Sequence, residues 1–453
     1  MKILIANISL LPSTESLFDS HDPYTNTRHS STWDIGIAGD VIEFVRPHTT
    51  VPMGAGGRER TPGSEAGEYD KVILGDGRLA LPGLVNAHTH LGMTLLRGYG
   101  DDLPLMQWLE EKIWPIEAEL SADDVYWASL LAIGEMFKAG VTTCGDMYFH
   151  MDATAKAIAE SGMRASLSRG LQDIGGSGKQ GLQEAAALCR NWHNSCRGRV
   201  TVMLGPHAPY TCSPEFLRQT FDKAQRLGIP LHIHVAETET EIQEAADNYK
   251  TTPLGLLEEL GVLDGPVTAA HAVYFSPDDI QLALERDVRI IHCPGSNMKL
   301  GSGIAPLPDM LEAGLKIGLG TDSAASNNTL NLWEEMRLSS LIHKAENRNA
   351  KVVPAETSLT MATKGGADAL HLNKVGKILP GWAADLILVD NKGLHWQPTS
   401  DLEASVVYAG GAQDVNLTMA AGRVVYEGGR LTTIDEDRLV YQVQKCAQRL
   451  GLC

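Results

Sequence analysis

Eight short apolar runs alternate with helix-like stretches between residues 82 and 370, and this alternation leaves the chain few possible folds. Short runs bounded by glycine, proline or polar residues are typical of buried strands. The predicted strands are 84–90, 141–149, 164–171, 200–207, 230–237, 267–275, 289–294 and 316–322. The predicted helices are 122–139, 153–161, 182–192, 214–226, 277–286 and 332–345. Eight strands with helices between them predict an α/β fold, the (β/α)₈ TIM barrel.

The first predicted strand ends in His88, Thr89 and His90. Side chains alternate between the two faces of a strand, so the two histidines point to the same side. Two adjacent imidazoles can bind one divalent metal ion without strain. An HxH pair alone is weak evidence for such a site, because histidines at these positions more often have a structural role.

Three further predicted strands end in residues that bind metals or transfer protons. His234 and Glu237 close the fifth, His271 lies in the sixth and Asp322 closes the eighth. Catalytic groups of such barrels lie at the C-terminal ends of the strands, so these side chains are expected to meet His88 and His90. Chance is a poor explanation for four such ends, and the pattern predicts a metal centre. His232 lies on the same face as His234 and rivals it as a ligand on spacing alone.

The two ends of the chain have the character of short strands. The strand-like runs are 2–6, 34–38, 41–45, 71–74, 376–390 and 406–431. They predict a small β-sandwich built from residues 1–81 and 371–453, closed by a helix at 435–450, beside a barrel domain at 82–370. Two polar stretches, 13–32 and 49–68, are expected to be surface loops.

The composition disfavours two classes of partner. The net charge is −18, spread along the chain, and an acidic surface repels phosphates, so no nucleic-acid substrate is expected. No apolar run approaches the roughly 20 residues that cross a bilayer. The first apolar stretch soon meets Asn7 and Pro12, which indicates a strand rather than a signal peptide. Seven cysteines without framework spacing fit reduced thiols, so we expect a cytoplasmic protein with no membrane partner.

Several stretches together resemble the amidohydrolase superfamily and, more narrowly, the methylthioadenosine/S-adenosylhomocysteine deaminase family. They are PGLVNAHTH at 82–90, TLLRG at 94–98, PIE at 115–117, DMYF at 146–149, GPHAPY at 205–210, HVAET at 234–238, GTDSAASNN at 320–328 and EMRL at 335–338. The HTH and TD motifs belong to the whole superfamily and imply metal-dependent hydrolysis. The PIE and DMYF motifs are more particular to the nucleoside branch. This chain departs from the pattern in its long loops before residue 70 and in Ser323, where related chains often have glycine.

The resemblance implies hydrolytic deamination of adenosines with a modified 5′ position. The first candidate substrate is 5′-methylthioadenosine, followed by S-adenosylhomocysteine, 5′-deoxyadenosine and adenosine. It also implies one divalent metal ion per chain, Zn²⁺ ahead of Fe²⁺. The ligands implied are His88, His90, His234 and Asp322. Such an ion makes hydroxide available at neutral pH. We further expect a homo-oligomer acting on a small nucleoside.

The resemblance also assigns roles to individual side chains. Asp322 would accept a proton from the attacking water, and Glu237 would protonate the ring nitrogen beside the attacked carbon. His271 would hydrogen-bond either the metal-bound water or the oxygen that develops at C6. The implied substrate-binding residues are Glu117 at the ribose hydroxyls, His207 near the purine and ribose, Arg169 near the distal end and Ser326 near the ring.

Some alternatives remain open. Lys179 is the only cation of 175–181, where the family can place an arginine for an amino-acid carboxylate, so recognition of the homocysteine tail is left open. Glu237 has the alternative role of a helix-capping carboxylate, and His271 that of a core histidine. A triazine or other aminated-heterocycle hydrolase shares the fold, metal set and HxxE acid, but needs no hydroxyl acceptor at Glu117. A barrel that lost catalysis is disfavoured by the intact ligand set. The HxE and PCxxC motifs of zinc cytidine deaminases are absent.

Overall fold

The computed structural model describes residues 1–15, 17, 32–49, 69–175 and 177–452. At the N-terminus, one sheet has the strand order β3-β2-β1-β4. Its strands are β1 (Lys2–Ile8), β2 (Trp33–Ala38), β3 (Val41–Pro47) and β4 (Lys71–Leu74). A short helix, α1 (Pro12–Glu15), follows β1. The predicted surface loops 13–32 and 49–68 otherwise lie almost entirely outside the described residues.

Strand β5 (Leu79–Pro82) leads into the barrel, which within the described ranges has eight parallel strands in sequence order. They are β6 (Leu84–Thr89), β7 (Val141–Tyr148), β8 (Arg164–Leu171), β9 (Val200–Pro206), β10 (Leu231–Val235), β11 (Val267–His271), β12 (Arg289–His292) and β13 (Ile317–Leu319). The last strand packs against the first and nearly closes the ring. The predicted barrel is therefore confirmed, because each predicted strand is present with its ends shifted by a few residues.

Helices surround the barrel and connect its strands. They are α2 (Leu105–Trp108), α3 (Trp114–Glu117), α4 (Ala122–Lys138), α5 (Met151–Ser161), α6 (Gly178–Trp192), α7 (Ser195–Gly198), α8 (Pro214–Leu227), α9 (Glu239–Tyr249), α10 (Pro253–Glu259), α11 (Pro277–Glu285), α12 (Pro294–Lys299), α13 (Leu307–Glu312), α14 (Leu332–Glu346), α15 (Ala355–Thr360) and α16 (Gly366–Ala369). Local chemistry sets several of their ends. Ser121 and Asp124 form a reciprocal capping box at the start of α4, and Gly228 ends α8 in a left-handed conformation.

The two ends of the chain form a sandwich. Strands β14 (Leu386–Val389), β15 (Val415–Ala420), β16 (Arg423–Glu427) and β17 (Arg430–Leu431) extend a sheet that ends in β5. Its inner face packs against the N-terminal sheet, with Ile3 and Ile5 buried against Leu386 and Leu417. The predicted sandwich from both termini is confirmed. The division at residues 82 and 370 remains a prediction.

One part of the predicted strand region 406–431 is wrong. Residues 406–408 lie in helix α17 (Leu402–Tyr408), although Val406 and Val407 favour strands by their branching. Asp401 explains the difference, because its side chain accepts the Ala404 N–H and starts a helix there.

The C-terminal helix is present as α18 (Glu436–Arg449). It packs on α4, where Glu436 pairs with Lys138 and Arg449 pairs with Asp124. Its buried residues Leu439 and Cys446 belong to the apolar core that fills the space around the barrel. The helix therefore ties the end of the chain to the barrel itself. Among the described helices, we find none with both the length and the apolar character that crossing a membrane requires.

Candidate metal centre and active site

Three histidines meet inside the barrel mouth. His88 lies near the end of β6, His90 directly follows that strand, and His234 lies near the end of β10. One ring nitrogen from each lies within 4.8 Å of the others. The Nε2 atoms of His88 and His234 are 3.2 Å apart. Three imidazole nitrogens are thus directed at one small volume.

The opposite nitrogens of these rings are anchored elsewhere. His90 Nδ1 hydrogen-bonds to the carbonyl of Met147, and His234 Nδ1 to the carbonyl of His207 at 2.6 Å. A carbonyl can only accept, so Nδ1 carries the hydrogen in both rings. In a neutral ring this leaves the Nε2 lone pair free to bind a metal, and such outer hydrogen bonds are typical of metal-binding histidines.

Asp322 provides a carboxylate at the same point. Its Oδ1 lies 3.1 Å from His90 Nε2 and 3.5 Å from His88 Nε2. Its Oδ2 accepts hydrogen bonds from Ser296 Oγ at 2.6 Å and Ser326 Oγ at 2.8 Å. Asp322 has a φ of 61°, an uncommon backbone conformation for a non-glycine residue and one found at functional sites.

The charges of the cluster favour a cation at its centre. Burial works against a charge on His90, but the Asp322 carboxylate outweighs burial and raises the pKa of His90 to about 9. The Asp322 carboxylate stabilises a positive charge at this point. A bound divalent ion can supply that charge in place of a proton on His90. Burial lowers the pKa of His88 to about 4, which keeps that ring neutral and able to bind metal. Three imidazoles and one carboxylate suit Zn²⁺ and also Fe²⁺.

Glu237 and His271 lie beside this cluster. Glu237 Oε2 is 3.9 Å from His271 Nε2. The Nδ1 of His271 lies 2.8 Å from Asn297 Oδ1, an acceptor, so Nδ1 carries the hydrogen. Burial raises the pKa of Glu237, which favours the protonated carboxyl.

The start of α9 shows that Glu237 does not serve as the capping carboxylate. Thr238 caps the helix by accepting the Glu241 N–H. Glu241 accepts the backbone N–H groups of Ala236 and Glu237 at 3.0 and 2.8 Å. The carboxyl of Glu237 is therefore left to line the cavity.

A cavity, hereafter the active-site cavity, opens over the cluster. Of the predicted substrate-binding residues, Glu117, His207 and Ser326 line it. Burial raises the pKa of Glu117 to about 7, with the Tyr148 hydroxyl and His90 acting in the opposite direction. Burial lowers the pKa of His207 to about 3, so that ring stays neutral. The Ser326 hydroxyl is directed to Asp322.

The structure does not bring Arg169 into the active-site cavity. Arg169 lines a neighbouring chamber and pairs with Glu184. Lys179 lies apart from both, in a groove between α6 and α8 that it shares with Arg190 and Lys223. The lysine is therefore placed away from any ligand in the active-site cavity.

Two other histidines have separate positions. His232 is fully buried below the cluster, with Nε2 2.9 Å from His88 Nδ1. His292 faces His343, their Nε2 atoms 3.3 Å apart. The first orients a cluster histidine from below, and the second contacts α14.

Sequence reasoning missed several residues of the site. Tyr148 lines the cavity; it lies in the DMYF motif but received no role there, although alternation along β7 from Asp146 was a signal for one. Ser296 and Asn297, which hold Asp322 and His271, are carried by α12 and follow no ligand-type spacing. The stretch 105–114, before the PIE motif, covers the cavity with apolar side chains, including Trp108, and no motif in it indicates that position.

The chain is similar in sequence and in fold to several hydrolytic enzymes. The model of the amidohydrolase family matches residues 79–425. The chain is 47% identical over 417 residues to the 5-methylthioadenosine/S-adenosylhomocysteine deaminase of Pelotomaculum thermopropionicum, spanning 92% of this chain and 94% of that one. A zinc-bound adenosine deaminase from Xanthomonas campestris matches with a TM-score of 0.87 and 30% identity, over 100% of this chain and 98% of that one. The zinc complex of an atrazine chlorohydrolase from Arthrobacter aurescens matches with a TM-score of 0.85 and 25% identity, over 98% of this chain and 99% of that one.

Proposed function

Because this chain belongs to the amidohydrolase family, we propose that it deaminates adenosines with a modified 5′ position by hydrolysis. Water replaces the 6-amino group of the purine, and the products are the inosine analogue and ammonia. The substrate class is supported by relatives that are 47% and 48% identical to this chain. They are named as deaminases of 5-methylthioadenosine and S-adenosylhomocysteine.

The observation that carries the proposal is that Glu117 lines the cavity that opens over the histidine cluster that could hold a metal ion. A carboxylate can accept hydrogen bonds from both hydroxyls of a ribose 2′,3′-diol. A triazine has no such diol, so this partly buried acid favours a nucleoside. The sequence identity to the deaminase relative also exceeds that to the atrazine chlorohydrolase.

His88, His90, His234 and Asp322 would hold one divalent ion, with Zn²⁺ favoured by the two zinc-bound structures. The ion, when bound, lowers the pKa of water and makes a nucleophile available at neutral pH. His88 and His90 come from the same strand end. The backbone N–H of Asp322 donates a hydrogen bond to the His88 carbonyl at 3.0 Å, which holds Asp322 beside that strand end. These positions therefore hold the ligands without a large rearrangement.

The neighbouring side chains account for the proton transfers. Asp322 accepts the proton that the attacking water loses, with Ser296 and Ser326 holding the other carboxylate oxygen. Glu237, whose burial favours the protonated form, donates to N1 of the purine beside the attacked C6. The proton held by Asp322 then passes to the 6-amino group, the C6–N bond breaks and ammonia leaves, and the hydroxyl proton at C6 returns to Glu237 as the C6 carbonyl forms. His271, oriented by Asn297, hydrogen-bonds the oxygen that is added at C6.

Wild-type enzyme assayed by ammonia release tests the proposal. The panel is adenosine, 5′-methylthioadenosine, 5′-deoxyadenosine, S-adenosylhomocysteine, guanine and melamine. We expect turnover of the four adenosines and none of guanine or melamine. Ammonia release from melamine, with none from the four adenosines, would overturn this proposal and favour a heterocycle hydrolase. Silence on every amine would favour a barrel without catalysis.

We propose that the enzyme acts in the cytoplasm as a homo-oligomer. The six cysteines described are free, in keeping with a reducing compartment. Light scattering on purified enzyme gives the oligomeric state, and elemental analysis of enzyme from its native host distinguishes zinc from iron. A monomer in solution would overturn the proposed homo-oligomer. Iron in the isolated protein would replace zinc as the proposed metal.

A further inference from the structure

A second chamber, hereafter the side chamber, opens beside the active-site cavity. The two share Trp114, Glu117, Phe149 and Gln172 in their walls. A ribose held by Glu117 lies at this boundary. The part of the substrate that continues beyond the ribose can therefore extend into the side chamber.

The charged wall of the side chamber contains a paired arginine and glutamate. Arg169 on β8 donates from Nε to Glu184 Oε2 at 2.9 Å, and its Nη2 lies 2.9 Å from the same oxygen. Arg169 Nη1 donates to the Gly170 carbonyl. Its guanidinium carbon lies 5.0 Å from the centre of the Phe149 ring. These contacts hold the guanidinium in one orientation.

Both members of the pair have capacity left for a ligand. Arginine carries five N–H donors, so one N–H on each terminal nitrogen remains. These two remaining N–H groups of Arg169 make no further hydrogen bond to the residues that the structure describes. Glu184 Oε1 accepts one hydrogen bond, from Gln180 at 2.9 Å, and its side chain is 45% exposed. Burial opposes its ionisation, but Gln180 and Arg169 outweigh burial and lower the pKa of Glu184.

The side chamber is acidic overall. Besides Glu117 at the boundary, which the ribose occupies, the wall contains Glu184, which neutralises Arg169, and Asp152, which accepts the Trp192 indole N–H at 2.7 Å; His150 also lines it. A ligand carboxylate alone would add a further negative charge to a wall that already holds more carboxylates than arginines. A ligand ammonium would instead face Glu184 and Asp152, which outnumber the single arginine.

We propose that Glu184 is a specificity-determining residue that makes the side chamber select 5′ groups ending in an ammonium. The ammonium pairs with Glu184, and a carboxylate on the same tail reaches the free N–H edge of Arg169 only when that ammonium accompanies it. Tails with a carboxylate alone are disfavoured. The inference rests on the proposed deamination, because the side chamber extends the site where the nucleoside binds.

Four 5′-thioadenosines with different tails test the inference, each assayed for kcat/KM by ammonia release. The tails are methyl, the amino acid of S-adenosylhomocysteine, 3-aminopropyl and 3-carboxypropyl. We expect wild-type enzyme to prefer 3-aminopropyl over 3-carboxypropyl by about fivefold, the size of one partly exposed charge contact. Glu184→Gln should lower kcat/KM for both ammonium tails by about twofold to fivefold, raise it for 3-carboxypropyl and leave the methyl tail unchanged.

Glu215→Gln is the matched control. Glu215 is an exposed helix glutamate that accepts from Gln219 one turn away, as Glu184 does from Gln180, but it lines neither the active-site cavity nor the side chamber. It should leave all four tails unchanged. A gain for S-adenosylhomocysteine in Glu184→Gln would overturn the inference and make Glu184 a competitor for Arg169. An equal loss for all four tails would overturn it by showing a structural role. If wild-type enzyme fails on the methyl tail, the proposed function fails instead.

Discussion

The active-site cavity and the side chamber adjoin each other but are built differently. The histidines of the first lie at strand ends, and the barrel backbone fixes them through the carbonyls of Met147 and His207. The charged pair of the second joins a strand arginine to a helix glutamate that is partly exposed. Rigid buried groups suit chemistry that requires fixed positions, whereas exposed charges are weaker and more easily changed. We infer that the cavity sets the reaction and the chamber tunes the substrate.

The largest effect is expected from the metal-type ligands. His88→Ala or Asp322→Ala removes one of four converging donors, so both variants should lose bound metal and activity together. Elemental analysis and ammonia release measure the two losses. His292→Asn, a buried histidine that contacts His343 instead, should keep the metal. Full turnover by a metal-free preparation would contradict the assigned centre.

Glu237→Gln should separate chemistry from metal binding. The amide cannot donate an acidic proton, so kcat should fall by about 10²–10⁴, the usual effect of removing a positioned acid. Metal content should remain at the wild-type level, because Glu237 lies beside His271 rather than in the ligand set. Loss of metal in this variant would make Glu237 a ligand.

A smaller effect is expected at the boundary between the two regions. Glu117→Gln leaves one hydroxyl of the diol poorly paired, so kcat/KM for 5′-methylthioadenosine should fall about tenfold to a hundredfold. In wild-type enzyme, 2′-deoxyadenosine should be poorer than adenosine. An enzyme indifferent to the missing hydroxyl would remove Glu117 from ribose binding and favour the heterocycle hydrolase.

The smallest effect is expected outside both regions. Lys179→Ala removes a cation that shares a groove with Arg190 and Lys223 rather than lining the side chamber. Its kcat/KM for S-adenosylhomocysteine should stay within about twofold of wild type, as for most surface substitutions. A large loss would show that the lysine reaches the tail in the complex, and the division between cavity and chamber would need redrawing.

Periodicity explains how much of the fold could be predicted. All eight barrel strands carry strong apolar patterns, and their ends were predicted within a few residues. The helix at Leu402–Tyr408 was missed because its β-branched residues favour a strand, while one aspartate cap sets the local conformation. His88, His90, His234 and Asp322 could be predicted as a group because each lies at or just beyond the end of a recognisable strand, and the structure places them together; their role as ligands remains a prediction.

The sequence by itself determined which strands form and which residue types stand at their ends, since both depend on neighbours along the chain. Only the tertiary structure decided that Arg169 pairs with Glu184 outside the active-site cavity, that Lys179 lies elsewhere and that α18 packs on α4. Such pairings join side chains from separate elements, and no local pattern encodes which of them meet. The distance between two charges becomes defined only when the barrel closes and brings its helices into register.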